Sequence, residues 1–170
     1  FVLTVPAFSQ QQCGPSEQIS ADLETKFDEV RVARGLLNDN LIVEVFASAE
    51  SGSWTHLTTN PDGISCMQSS GDRFAVVSKE SQKTFLLKQP SGLVCETRDS
   101  LVSAVEPETS FGTRSLVGMI GTSMIFEAYV DEQTGDWFFV AANLDNMTCQ
   151  QAAGEAFDEF ADEHIPGIEI

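Results

Sequence analysis

The chain has few basic residues. It contains 9 Lys and Arg against 26 Asp and Glu, so its formal net charge at pH 7 is −17. Nucleic acids and anionic membrane surfaces are bound largely through Lys and Arg. The sequence therefore predicts no nucleic-acid partner, whereas a cationic protein or a divalent ion stays possible and a merely solvated acidic surface is the simplest interpretation.

Histidine is also scarce, and the short motifs of common catalytic sites are missing. His56 and His164 are the two histidines, and the chain has no Cys-x-x-Cys, Gly-x-Ser-x-Gly or His-Glu-x-x-His motif. Acyl transfer needs a histidine beside a nucleophile, and zinc sites need closely spaced Cys and His. The sequence thus indicates no catalytic residue, cofactor or metal site, although acidic residues meeting in a cleft could still form a hydrolase site.

Long hydrophobic runs are missing too, apart from the first residues. Residues 1–8 are apolar except for Thr4, and Ala7-Phe8-Ser9 resembles the end of a secretory signal. The alternative is a first β-strand over residues 1–5 that Pro6 ends. We therefore assign residues 1–12 to a signal-peptide remnant or an N-terminal strand. No other stretch approaches the eighteen or more residues of a membrane span, so no membrane insertion is expected.

What the sequence does contain is an internal repeat. With a shift of 83, residues 31–74 align with residues 114–157 without a gap, and 12 of the 44 aligned positions are identical. The identical pairs are Arg31/Arg114, Gly35/Gly118, Ile42/Ile125, Glu44/Glu127, Gly52/Gly135, Trp54/Trp137, Asn60/Asn143, Asp62/Asp145, Cys66/Cys149, Gln68/Gln151, Gly71/Gly154 and Phe74/Phe157. Such self-similarity predicts a tandem duplication.

Each copy contains two of the four cysteines, and these lie at matching places. Four cysteines allow three pairings, and spacing alone does not choose among them. A single ancestral copy, however, had only its own two cysteines to pair. The duplication therefore predicts the disulfides Cys13–Cys66 and Cys95–Cys149, and small modules with such bonds belong to oxidising compartments.

Periodicity predicts the same elements in both copies. After Pro15, the spacing of Ile19, Leu23 and Phe27 is typical of one helical face, and a shorter helix is expected between Thr97 and Pro107. Strands are expected over residues 30–37, 41–48, 53–59 and 64–69, and again over 114–120, 124–130, 136–142 and 147–152. Because a helix covers one face of an antiparallel sheet economically, the predicted fold is α+β, a tandem of units with one helix and three or four strands.

This organisation divides the chain into five segments. After residues 1–12 come repeat 1 (13–74), a connecting segment (75–94), repeat 2 (95–157) and an acidic C-terminal tail (158–170). The connecting segment has an apolar centre between lysines, which favours an edge strand over a flexible tether.

Two duplicated charges lie within apolar strands. Glu44 and Glu127 share their rows with apolar residues, and a carboxylate in such a row needs a partner because burying a lone charge is costly. If the first two strands of each copy form a hairpin, Arg31 lies diagonally across from Glu44, and Arg114 from Glu127. The sequence therefore predicts two equivalent structural ion pairs.

Trp54 and Trp137 begin the same strand in each copy, which favours core packing. After Trp137, the side chains of Phe138 and Phe139 point to opposite faces of their strand. Repeat 2 then needs cover on both faces, from the other repeat or from a partner protein. Trp137, Phe138 and Phe139 are accordingly a possible partner interface.

Acidic residues cluster at two places, Asp131, Glu132 and Asp136 in a turn, and Asp158, Glu159, Asp162 and Glu163 in the tail. Neither cluster has the alternating oxygen pattern of a calcium loop. Solvated acidic surface is the favoured interpretation of both.

Residues 43–48 (Val-Glu-Val-Phe-Ala-Ser), 52–55 (Gly-Ser-Trp-Thr) and 61–63 (Pro-Asp-Gly), framed by Cys13 and Cys66, resemble a group of small exported bacterial proteins without assigned function. The resemblance implies export, to the periplasm or the exterior, and a disulfide. The leading hypothesis is an exported non-catalytic binding or accessory protein with a protein partner, for example a subunit of a larger periplasmic assembly. The alternative is an exported hydrolase.

Overall fold

The structure of the protein is a computed structural model that describes residues 12–76, 84–86, 95–97, 111–131, 133–143, 145 and 147–159. The expected signal remnant and most of the expected second helix and acidic tail lie outside these residues. The described residues form one helix and eleven strands. The helix is α1 (Ser16–Phe27), and the strands are β1 (Cys13–Pro15), β2 (Val30–Asn38), β3 (Leu41–Ala47), β4 (Trp54–Thr59), β5 (Ile64–Val76), β6 (Thr84–Leu86), β7 (Cys95–Thr97), β8 (Phe111–Ile120), β9 (Met124–Val130), β10 (Trp137–Asn143) and β11 (Met147–Glu159).

Helix α1 begins and ends where the sequence predicts. Pro15 precedes it with a φ of −55°, which suits a helix start, and the backbone N–H of Ser16 donates to the carbonyl of Gly63 at 2.8 Å. At the other end Asp28 adopts a left-handed conformation, and the N–H of Glu29 donates to the carbonyl of Leu23. The turn between β4 and β5 thus holds the start of the helix against the sheet.

Eight of the strands close into one antiparallel barrel. Each strand of the series β2-β3-β4-β5 pairs with the next, as does each strand of β8-β9-β10-β11. The barrel closes because β5 pairs with β8, and β11 pairs with β2. Strands β1 and β7 pair with the beginnings of β5 and β11, and β6 pairs with β8.

Two long, irregular strands make this closure possible. Strands β5 and β11 have 13 residues each, and both continue well beyond the ends expected at residues 69 and 152. Each bends at a residue with positive φ, Arg73 at 53° and Ala156 at 54°. Beyond the irregularity Ala75 pairs with Val117, and Asp158 pairs with Arg34. Bulges bend strands and increase twist, which a barrel requires.

The interior of the barrel is filled by side chains from alternate positions. Its buried residues are Val32, Ala33, Val43, Val45, Ala47, Trp54, Phe74, Leu116, Phe126, Ala128, Val130, Trp137, Phe139 and Phe157. The aromatic rings contact one another across the two halves of the chain, and the centroids of Trp54 and Phe126 lie 4.6 Å apart. Eight strands enclose a space that side chains can fill, so the interior is a packed core.

Each tryptophan occupies space that a glycine of the other half leaves free. A Cβ atom on Gly118 would lie 2.6 Å from Nε1 of Trp54, and one on Gly35 would lie 2.5 Å from Nε1 of Trp137. The indole N–H of Trp54 donates to the carbonyl of Met119 at 3.0 Å. The expected core packing of both tryptophans is therefore confirmed, with each ring lodged against a strand of the opposite half.

The predicted fold class is wrong. The described residues are mostly in strands, with a single helix among them, and the two sheets expected for separate helix-plus-sheet units instead form one barrel. The physical reason is that β5 and β11 each pair with the other half, so neither half buries its inner face alone. Most strand bounds were predicted to within a residue or two at their beginnings, and β9 was predicted without error.

We expect Gly35→Ala and Gly118→Ala each to lower the free energy of unfolding by roughly 1–3 kcal/mol, because the added methyl group overlaps an indole in a full core. Urea unfolding followed by tryptophan fluorescence measures this. Gly14→Ala is the control, since a Cβ atom there meets only an ordinary contact at 3.5 Å. Equal losses in all three variants would show that the barrel is not closed around the tryptophans.

Candidate functional site

Both disulfides join the strands that flank the barrel to its long strands. Cys13 in β1 is bonded to Cys66 in β5, and Cys95 in β7 is bonded to Cys149 in β11, with Cα atoms 4.1 Å apart in each pair. This is the predicted pairing. In the first half the bond fixes the chain just before helix α1, so the helix is held against the outer face of the barrel. Two disulfides suggest an oxidising, extracellular environment.

Glu44 lies on the outer face of β3, in a network of hydrogen bonds. Nε of Arg31 is 3.1 Å from Oε1 of Glu44, and the hydroxyl of Thr59 donates to Oε2 at 3.0 Å. Because that hydroxyl has one hydrogen, Ser65 must donate to Thr59 across their 2.7 Å contact. The guanidinium of Arg31 also lies 5.6 Å from the ring centroid of Phe46. The carboxylate is thus fully engaged in structural contacts.

Glu127 has the matching place on β9, with different companions. Nη1 of Arg114 is 2.9 Å from its Oε1, and the phenol of Tyr129 donates to Oε2 at 3.3 Å. Tyr129 in turn stacks on Phe138, with their rings 5.1 Å apart and nearly parallel. The side chain of Glu127 is 2% exposed, against 10% for Glu44. Both predicted ion pairs are present, and the second is the more buried.

The predicted partner interface is not a surface. Trp137 and Phe139 are completely buried inside the barrel, where Phe139 contacts Trp137, Phe126 and His56. Only Phe138 lies on the outer face. The cover that these residues needed comes from the first half of the same chain, because the barrel closes over them.

A largely apolar groove on the described surface follows helix α1. It is a groove of about 370 Å³ between the helix, β1 and β5. Its lining residues are Gln12, Cys13, Gly14, Pro15, Gln18, Ile19, Asp22, Leu23, Phe27 and Met67. We call this the α1 groove. Leu23, Ile19 and Met67 of this lining pack with Phe46 and Leu57 in one hydrophobic cluster, whereas the side chain of Phe27 is 56% exposed.

Charge around the α1 groove is mainly acidic. The helix carries Glu17, Asp22 and Glu24, and Asp28 follows it. Lys26, its one basic residue, is 2.9 Å from Asp22 in an exposed ion pair. Asp22 lines the groove, whereas Glu17, Glu24 and Asp28 lie outside its lining. An apolar groove on this acidic helix suits a ligand with apolar and basic groups.

A second, more open groove of about 360 Å³ lies between β2, β10 and β11. Its lining includes Asn38, Asp136, Gln150 and Glu155. Among the described carboxylates, burial raises the pKa of Glu29, against the lowering effect of hydrogen bonds from Thr55 and Ser53. Glu29 lies beneath the end of α1 and outside both grooves, so it does not provide the acidic cleft of a hydrolase.

Within the described residues, no group of three or more His, Cys, Asp or Glu is placed to hold a metal ion. In the turn cluster, Oδ1 of Asp131 accepts the backbone N–H of Gln133 at 2.8 Å, which is a turn contact. Asp158 of the tail cluster lies 3.9 Å from Arg34. Glu132, Glu159, Asp162 and Glu163 lie outside the residues whose side chains are described.

The described helix is too short and too polar to cross a bilayer.

With this geometry in place, the chain was compared with known proteins. No protein-family model, no curated protein and no solved structure matches it. The resemblance to small exported bacterial proteins therefore stays a prediction, as does the duplication.

The α1 groove was not foreseen from sequence, although one signal for it existed. Phe27 ends an apolar helical stripe in which Leu23 is buried, yet Phe27 itself is 56% exposed, so the last residue of the stripe protrudes. The helical periodicity gave the face of Phe27 correctly. The extent of the sheet under it depends on strand pairing across the chain, which periodicity does not reveal.

We expect Glu127→Gln to lower the free energy of unfolding by about 3 kcal/mol, because it leaves the largely buried Arg114 without its countercharge. Glu44→Gln should cost about 1 kcal/mol or less, since Arg31 is 40% exposed and water can solvate it. Urea unfolding near neutral pH compares the two matched variants. A larger loss at Glu44 would contradict the assignment of Glu127 as the more buried pair.

Proposed function

We propose that the protein is an exported, non-catalytic binding protein, periplasmic or secreted, which holds a basic amphipathic segment of a partner protein in the α1 groove. The observation that carries the proposal is the exposed Phe27 at the edge of an apolar groove on a strongly acidic protein. Large apolar side chains that stay exposed beside a groove are typical of binding surfaces.

The packing of the barrel supports a site on the outer surface. Up-and-down barrels that bind small ligands hold them inside, but the interior described here is occupied by two tryptophans and several phenylalanines. A partner is therefore expected on the outside. There, the α1 groove offers a preformed platform, because the Cys13–Cys66 bond and the Ser16–Gly63 hydrogen bond fix the start of the helix.

Charge complementarity selects the chemistry of the partner segment. Asp22 lines the groove, Glu17 and Glu24 lie on the same helix, and the whole chain carries a formal charge of −17. Lys or Arg on one side of an amphipathic helix would face these carboxylates while its apolar side covers Phe27 and Ile19. Complementary charge of this kind raises association rates and excludes acidic competitors.

Export is supported by the two disulfides and by the resemblance of the first half to exported proteins. The bonds close loops with sequence separations of 53 and 54 residues, each worth about 4 kcal/mol in the chain-entropy model. A protein that depends on them belongs in an oxidising compartment. If the four cysteines of the native protein react with a maleimide before reduction, export is the wrong assignment.

The binding proposal predicts selective capture of a basic amphipathic peptide. A fluorescent helical peptide with leucines on one face and lysines on the other should bind at moderate salt. Phe27→Asp should weaken this binding by roughly tenfold or more, because the substitution removes an apolar anchor. The measurement is fluorescence anisotropy.

Leu36→Asp is the matched control, since Leu36 is exposed, lies outside the groove and receives the same charge. A peptide with glutamate in place of lysine tests the charge argument. Equal affinities of the two variants, or equal binding of both peptides, would show that the α1 groove is not the site.

A further inference from the structure

His56 lies in the interior wall of the barrel. It belongs to β4, is 4% exposed and faces two rings of the other half of the chain, Phe139 at 5.1 Å and Phe126 at 6.1 Å between centroids. Its Nδ1 is 3.3 Å from the hydroxyl oxygen of Ser69. Within the part of the chain that the structure describes, its Nε2 has no hydrogen-bond partner.

No charged group of the surrounding strands faces this ring. The titratable residues of those strands are Glu44 on β3, Asp72 and Arg73 on β5, and Glu127 and Tyr129 on β9. Glu44, Glu127 and Tyr129 lie on the outer face. There Glu44 contacts Arg31, Glu127 contacts Arg114, and Tyr129 stacks on Phe138. Asp72 and Arg73 are exposed. Strand β10 contributes no titratable residue. A protonated imidazole would thus be a charge in an apolar core with no carboxylate to receive it.

The neighbouring residue links this ring to the α1 groove. Leu57 follows His56, and the pairing of β4 with β5 is irregular between these two residues. Leu57 is completely buried on the outer face, in the cluster with Leu23 and Phe46. A displacement of His56 therefore acts directly on the strand that supports the helix.

We propose that His56 is an acid-sensitive lock, which keeps the barrel and the platform under helix α1 closed while the ring is neutral and loosens them when it is protonated. The position has an internal reference, because Phe139 is its counterpart at a shift of 83 residues. A phenylalanine there packs in the same core and does not titrate.

The direction of the effect follows from burial, which lowers the pKa of His56 to about 4 from an ordinary value of 6.5. Above pH 6.5 the ring is neutral in both the folded and the unfolded chain, and its contribution to stability does not change. As the pH falls from 6.5 towards 4, only the unfolded chain takes up the proton. The unfolding equilibrium should therefore rise on the order of 100-fold from this residue between about pH 7 and pH 4.

The experiment is urea unfolding of the native protein and of His56→Phe at a series of pH values between about 7 and 4. Carboxylates contribute to both curves, so the difference between the two slopes isolates His56. We expect the wild-type unfolding constant to rise on the order of 100-fold more than that of the variant. Parallel curves would overturn the proposal.

A second measurement does not depend on the folding of that variant. The chain has two histidines, so His164→Gln leaves a single imidazole signal in the proton NMR spectrum. The signal of His56 should begin to titrate only below about pH 5, and the amides of β4 and α1 should then exchange faster than those of β10. Titration near pH 6.5, or uniform exchange, would contradict the lock.

Discussion

The reciprocal fit of two tryptophans against two glycines is the interaction on which the rest of the structure depends. Trp54 needs the bare backbone of Gly118, and Trp137 needs that of Gly35. Part of the space around each indole lies on a strand of the other half, and Gly71 or Gly154 of the same half provides the rest. The arrangement therefore makes the barrel a single cooperative unit, and the outer face inherits its shape from this core.

Two consequences for function follow from the filled core. First, the proposed binding site lies on the outer surface, where the Cys13–Cys66 bond holds helix α1 over Leu57 and Phe27 protrudes. Second, His56, an imidazole in the described part of the inner wall, is the proposed acid-sensitive position.

The disulfides, the ion pairs and the local elements were predictable from the sequence, but the closure of the barrel was not. The disulfide pairing, the Arg31–Glu44 and Arg114–Glu127 pairs, helix α1 and the strand alternation all follow from residues close in sequence or from the comparison of the two halves. The identities at Gly71/Gly154 and Phe74/Phe157 extend past the last expected strand of each half, and they mark where β5 and β11 cross to the other half. To interpret these identities one must know which distant strands pair, and local periodicity does not encode that pairing. The same omission turned Trp137 and Phe139 into a supposed interface, and it concealed the α1 groove.

The central claim, one barrel whose halves cannot fold apart, is tested most directly with 5-fluorotryptophan in the intact protein. Fluorine NMR resolves the two indoles, and their signals can be followed separately through urea unfolding. Trp54 and Trp137 should lose their folded signals at one common urea midpoint, since each ring packs on the other half. Two separate midpoints would show independent modules and would contradict the account.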